Sequence, residues 1–209
     1  MKSRLAATEE IPATNVSMNE LFDRLWKSER ETIFLMILQP NLYLGFISEL
    51  PEFLSDRKDV QCVYVTITLP YHELASMFNS KEASSRKILF IDAITKGTVV
   101  TETAHDCIFI DGPSELIQLS STLERVIKEF ETQKTFVLID SLTVLLVHNS
   151  KDLIMKFLHH IISKLRSYKC KVVFLALNEK EHQTPLNFLS FLSDKTFQLI
   201  KPALEENCR

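Results

Sequence analysis

The chain has 209 residues and a formal net charge of −3, with 45% hydrophobic and 24% charged residues. This suits one domain able to bury a sheet with helices on both faces and excludes a global field that would gather polyanions. An apolar run such as Ile33–Leu38 falls far short of the roughly 18 residues of a membrane span, and Lys2 and Arg4 are followed by Glu9, Glu10 and Pro12 rather than by the apolar segment of a secretory signal. A cytoplasmic location is expected. Cys62, Cys107, Cys170 and Cys208 are too scattered for a disulfide frame, and the first three lie in or beside apolar runs, so they read as reduced core thiols.

In chain order, residues 1–16 are polar and unpatterned and are expected to be disordered or an extended arm, with one domain over 17–201 and a flexible tail over 202–209. Ser17-Met18-Asn19-Glu20 has the spacing of a capping box, and Leu21, Phe22, Leu25 and Trp26 form the stripe of a first amphipathic helix. Ile33–Leu38 reads as a buried strand. Leu42, Phe46, Ile47, Leu50, Phe53 and Leu54 then recur at helical spacing, with Asn41 as the expected N-cap. Cys62–Ile67 is the next strand, followed by a helix from Pro70 through Leu74, Met77 and Phe78, and by a strand at Ile88–Ile91.

The polar insertion from Ala93 to Asp106 is expected to be a loop or short hairpin, with a further strand at Cys107–Ile110. A helix should open at Pro113 and carry Leu116, Ile117, Leu123, Val126, Ile127 and Phe130. Phe136–Ile139 and Val172–Leu177 are strands, separated by a helix from Ser150 with Leu153, Ile154, Phe157, Leu158, Ile161, Ile162 and Leu165 on one face. Thr196–Ile200 closes the sheet. Continuous rather than alternating apolarity marks strands covered on both sides, and their alternation with helices implies a mostly parallel, three-layer α/β fold.

The order and wording of these strands carry a resemblance. Thr135-Phe136-Val137-Leu138-Ile139-Asp140-Ser141-Leu142-Thr143 resembles the Walker B strand of the RecA superfamily, and its Ile-Asp-Ser-Leu the KaiC-like branch. Cys62–Thr66 is similar to that branch's second strand, Lys87–Ala93 to its third, and Lys171–Leu175 to the strand after Walker B; the similarity covers roughly residues 30 to 200. It implies a RecA-like fold, an archaeal or cytoplasmic KaiC-like lineage, and side-by-side assembly as a dimer or ring.

The resemblance also implies a glycine-rich phosphate loop after the first strand, ending in Gly-Lys-Ser/Thr. The chain holds only three glycines, Gly45, Gly97 and Gly112, none before a lysine, where average usage of about 7% would give roughly fifteen. The corresponding segment is Gln39-Pro40-Asn41-Leu42-Tyr43-Leu44-Gly45, in which Pro40 lacks an amide donor and Leu42, Tyr43 and Leu44 put bulk where phosphate oxygens would approach. Thr68 and Leu69 stand where the branch carries a glutamate pair, and neither can act as a carboxylate base. These departures imply a catalytically inactive, regulatory or scaffold domain with no cofactor, working through protein contacts.

Other readings remain open. Asp140, with Ser141 or Thr143 supplying a hydroxyl, would serve an atypical nucleotide-binding ATPase. Lys164, Arg166, Lys169 and Lys171 either complement a helix C-terminus or form a basic patch for RNA, as in the ATPase-dead RecA-like subunits of Elongator. Asp92, Asp111 and Asp140 all end strands, and parallel topology would bring them to one rim, as a ligand pocket or as turn and capping residues. No metal site is expected: of His72, His105, His148, His159, His160 and His182 only the adjacent pair are near each other, and adjacent helical residues point about 100° apart.

Overall fold

Seven apolar runs predict seven strands, and the computed structural model, which describes residues 8–12, 18–28, 32–57, 59–79, 87–97, 104–130, 134–178 and 183–200, places a strand at each. The strands are β2 (Ile33–Leu38), β3 (Val60–Thr66), β4 (Ile88–Asp92), β5 (Cys107–Phe109), β6 (Lys134–Asp140), β7 (Lys171–Leu177) and β8 (Lys195–Ile200). An eighth, β1 (Thr8–Pro12), lies where a disordered or extended arm was expected and pairs with β8, Ile11 opposite Leu199. The sheet order is β1-β8-β2-β7-β6-β3-β4-β5, with every strand pair parallel. In the polar insertion, Thr95–Gly97 forms a 3-10 turn and Ala104 makes an isolated antiparallel bridge to Cys107; residues 98–103 lie outside the described residues.

One sheet face is covered by α1 (Met18–Lys27), α2 (Tyr43–Ser48), α3 (Leu50–Ser55) and α4 (Tyr71–Asn79). Their apolar side chains meet Phe34, Tyr64, Phe90 and Phe136 of the sheet in one cluster. Phe22 is its centre, with ring centroids 5.1 Å from Phe46, 4.8 Å from Phe53 and 5.8 Å from Phe136; truncating such a buried ring to Ala costs about 3–5 kcal/mol. The other face packs against α5 (Leu116–Glu129), α6 (Leu142–His148), α7 (Lys151–Ser167) and α8 (Gln183–Leu192), through Leu123, Leu145, Leu158, Leu189 and their neighbours. The fold is thus a three-layer α/β sandwich with a parallel sheet, as the sequence implies.

Several boundaries differ from expectation. The helix expected after Asn41 divides into a 3-10 turn, Pro40–Leu42, then α2 and α3. Pro51 has no amide to continue α2, and its ring would meet the carbonyl four residues back, so the helix breaks at Glu49. Asn41 lies inside the turn rather than capping a helix. Pro113 lies in a turn closed by the Glu115 amide on the Gly112 carbonyl at 3.1 Å, and α5 starts only at Leu116. Gly112 has φ +156°, a conformation that favours glycine. The helices α6 and α8 were not anticipated. The helix expected from Ser150 is α7, and Ser150 caps it by accepting from the Leu153 amide at 3.4 Å, but Leu153 and Ile117, both counted in apolar stripes, are 47% and 87% exposed. Ser17, His182, the 202–209 tail and Cys208 lie outside the described residues.

Candidate functional site

Parallel strands deliver their C-terminal ends to one rim, and the register sets Thr66 of β3 between Asp140 of β6 and Asp92 of β4. Both acids are fully buried. A carboxylate out of water needs donors, and the two find them in different places.

Asp92 caps the polypeptide. One oxygen accepts the amides of Ile94 and Thr95 at 2.7 and 2.8 Å, and the other accepts the Tyr71 amide opening α4 at 2.7 Å and the Thr95 hydroxyl at 2.6 Å. Asp111 is exposed and pairs with Lys96 at 2.5 Å. The three rim carboxylates therefore do not converge on one pocket, and no cluster of three or more metal-ligating side chains occurs among the described residues.

Asp140 is held by side chains from three other segments. Its Oδ2 accepts from the Tyr43 hydroxyl at 2.5 Å and the Tyr64 hydroxyl at 2.6 Å, and its Oδ1 accepts from the Thr68 hydroxyl at 3.2 Å. Thr68 also lies 3.3 Å from Ser141 Oγ. Burial pushes the Asp140 carboxyl up to about 6, although the hydroxyls of Tyr43, Tyr64 and Thr68 pull the other way by stabilising the anion. Burial, then the neighbouring Asp140 charge, pushes both tyrosine hydroxyls well above their ordinary value, so they remain neutral donors. Thr143 is engaged elsewhere: its Oγ1 accepts the Leu177 amide at 2.8 Å and ties α6 to the end of β7.

The segment expected at the phosphate-loop position forms a tight turn. Gln39 is extended at φ −70°, ψ 143°, after which the Leu42 amide bonds the Gln39 carbonyl at 2.9 Å and the Tyr43 amide bonds the Pro40 carbonyl. Pro40 has no amide, and those of Leu42 and Tyr43 point back into the turn rather than outward as an anion nest requires. Gly45 sits in α2, where an added Cβ would meet nothing within 4 Å, so its position does not demand glycine. Tyr43 turns inward to Asp140, while Leu44, expected to fill the loop with it, is 56% exposed. Leu69 is partly buried against the α1–α4 face, and its carbonyl accepts from the Thr66 hydroxyl.

Three of the four cations read as a helix terminus or a basic patch have separate partners. Arg166 Nη1 reaches both oxygens of Asp194 at 2.8 and 3.0 Å, and Lys164 pairs with Glu124 at 3.4 Å. Lys171 donates to the Ser28 carbonyl. Lys169 is exposed, with φ 57° just past the end of α7.

Tyr64 was legible only as a buried strand residue, because its partner lies 76 positions away. Among the described residues, no helix is long and apolar enough to cross a membrane.

The sequence model of a family of unknown function, DUF7504, matches residues 52–198, a span that holds Thr68 and Asp140 but not Tyr43. No curated protein matches the chain. Among solved structures, the KaiC-like protein PH0186 from the hyperthermophilic archaeon Pyrococcus horikoshii OT3 superposes with a TM-score of 0.62 at 14% identity, over 96% of this chain and 83% of its own. The ATPase domain of G40P superposes with a TM-score of 0.50 at 14% identity, over 89% of this chain and 71% of its own. At that identity the likeness concerns the fold, which is RecA-like.

Proposed function

The chain belongs to the DUF7504 family, and we propose that it is a catalytically inactive RecA/KaiC-like domain that works through protein contacts as a regulatory or scaffold subunit in the cytoplasm. The observation that carries this reading is the closed state of Asp140. In a RecA-like ATPase the acid ending this strand serves the metal-bound water; here two tyrosine hydroxyls and a threonine hydroxyl take up its oxygens. The turn from Gln39 to Gly45 supports the same reading, since it lacks a lysine and turns the amides of Leu42 and Tyr43 inward. Electrostatic stabilisation of the transferring phosphoryl group is the main source of rate in such sites, and this turn offers it neither a lysine nor the amides of Leu42 and Tyr43. Self-association, as a dimer or ring, belongs to this proposal; nucleic acid and membrane do not.

Heating the pure protein with and without Mg-ATP tests it. A nucleotide at about a hundred times its Kd would add about 2.7 kcal/mol, so a saturable rise of several degrees in Tm overturns the proposal, and an unchanged Tm is expected.

A second reading draws on the retained acid and on a structural neighbour that is an ATPase domain. In this reading the chain is an atypical nucleotide-binding ATPase, and phosphate release would be abolished by Asp140→Asn. For an RNA-binding scaffold, by contrast, the pairing of Arg166 and Lys164 with acids leaves no supporting observation.

A further inference from the structure

The two apolar side chains that escape burial in otherwise buried stripes, Ile117 of α5 and Leu153 of α7, line the same groove. It has a volume of about 780 Å³ and lies on the outer surface of the helical layer, away from Asp140. Its wall on α5 advances by the i, i+4 step from Leu116 to Glu129, the whole length of a helix of about 20 Å. Its wall on α7 runs from Leu153 through Phe157 to His160. A groove with one wall running the length of α5 fits a helix of three to four turns better than it fits a compact ligand.

The charges on the groove walls determine which kind of helix fits. Glu124 is paired within the groove region with Lys164 at 3.4 Å and faces His160 at 3.7 Å, and Glu129 is paired with Arg125 at 3.4 Å. Lys128 and Lys156 are exposed and have no acidic partner among the described residues. The acids of the groove are thus neutralised internally while two cations stand open, one on each wall. An apolar floor between unmatched cations is complementary to an amphipathic helix whose apolar stripe is flanked by Asp or Glu.

We propose that the groove between α5 and α7 docks an acidic amphipathic helix of a partner protein, with Ile117 and Leu153 seating its apolar stripe and Lys128 and Lys156 reading its acidic flanks. This deepens the reading of an interaction domain by naming a partner class and rests on it only in that sense; nucleotide titration and helix binding report on different surfaces, so either can fail alone.

A displayed library of helical peptides tests it, with a fixed apolar stripe at i, i+3, i+4 and i+7 and flanking positions randomised between Glu and Lys, panned against the full chain. Expected is enrichment of Glu over Lys at the flanks by about tenfold or more, equivalent to about 1.4 kcal/mol. Lys128→Glu with Lys156→Glu should reverse that preference, and Ile117→Glu with Leu153→Glu should abolish binding. All four positions are exposed, so these variants should fold, and an unchanged Tm checks it. No enrichment, or equal enrichment on the Ile117→Glu/Leu153→Glu chain, overturns the proposal. So does a wild-type dimer in sedimentation that Ile117→Glu disperses, which would assign the groove to a second copy of this chain.

Discussion

The hydroxyl of Tyr43 donates to the carboxylate of Asp140 at 2.5 Å, joining the first residue of α2 to the end of β6 across 97 positions of sequence. It is a bond between a neutral phenol and a buried acid, so its strength depends on whether that acid is ionised.

Tyr43→Phe removes one of the two tyrosine donors to Asp140 Oδ2. At pH 7.5 the variant should lose about 1–3 kcal/mol, the range for hydrogen bonds to charged groups. At pH 4.5, where the carboxyl is protonated, the loss should be smaller. Urea unfolding at both pH values measures the two, and an equal loss at each would separate Tyr43 from the charge on Asp140.

Asp140 itself has a folded value of about 6 against an ordinary 3.8. Between those values the folded protein binds more protons than the unfolded chain, so this group favours folding at low pH and opposes it progressively as pH rises through about 4 to 6. The shift of about two units amounts to about 3 kcal/mol. Asp140→Asn, a stand-in for the protonated acid, should therefore gain stability relative to wild type by up to that amount between pH 4 and 7. The difference in unfolding free energy across that range checks the sign, and a flat difference would contradict it.

Asp194 behaves in the opposite direction. Burial tends to raise its value, but the amides of Ile33 and Thr32, at 2.9 and 2.8 Å, and the Arg166 guanidinium outweigh that and hold it below the ordinary carboxylate value. It joins the starts of β2 and β8 to the last turn of α7. Its stabilising effect is present above the ordinary value and fades as pH falls through the lower folded value. Asp194→Ala should cost about 2 kcal/mol at pH 7, since amides lose a charged acceptor, and Arg166→Ala about 1 kcal/mol or less because that pair is partly exposed and screened. Chemical denaturation of both variants in low and high salt tests the ranking.

Cys62, Cys107 and Cys170 are buried; burial pushes the Cys62 thiol well up and Cys170 up to about 12. Thiolate is the reactive form, so a soluble disulfide reagent at pH 8 should leave these three unmodified in the native protein and modify them on denaturation. Peptide mass mapping distinguishes the two states.

The strands were readable because a run such as Phe136–Ile139, buried on both faces, needs no polar interruption. β1 escaped notice because Thr8-Glu9-Glu10-Ile11-Pro12 buries only Ile11, which leaves almost no hydrophobic signal on an edge strand. The short helix α6 passed as an apolar turn, since its seven residues make only about two helical turns, too few for a stripe to repeat. Within the site, Asp140 announced itself by ending a strand, whereas Tyr43 was visible only as bulk and Tyr64 only as core. Their shared target is created where α2 meets the paired strands β3 and β6, and no local pattern encodes it. The basic cluster, readable as either a helix terminus or a patch, was open for the converse reason: Lys164, Arg166 and Lys171 are neighbours in sequence, but each finds its partner on a distant element.

The strand order carries a consequence for biogenesis. β2 is flanked by β7 and β8, and β1 pairs only with β8, so the amino-terminal strands have no place to dock while the ribosome is still translating the middle of the protein. The β3, β4 and β6 half can assemble first, and β1 and β2 must wait for the last strand to emerge before their backbone groups are satisfied. Long-range closure of this kind is slower than local pairing, so the arrival of β8 sets when the amino-terminal strands can complete the sheet.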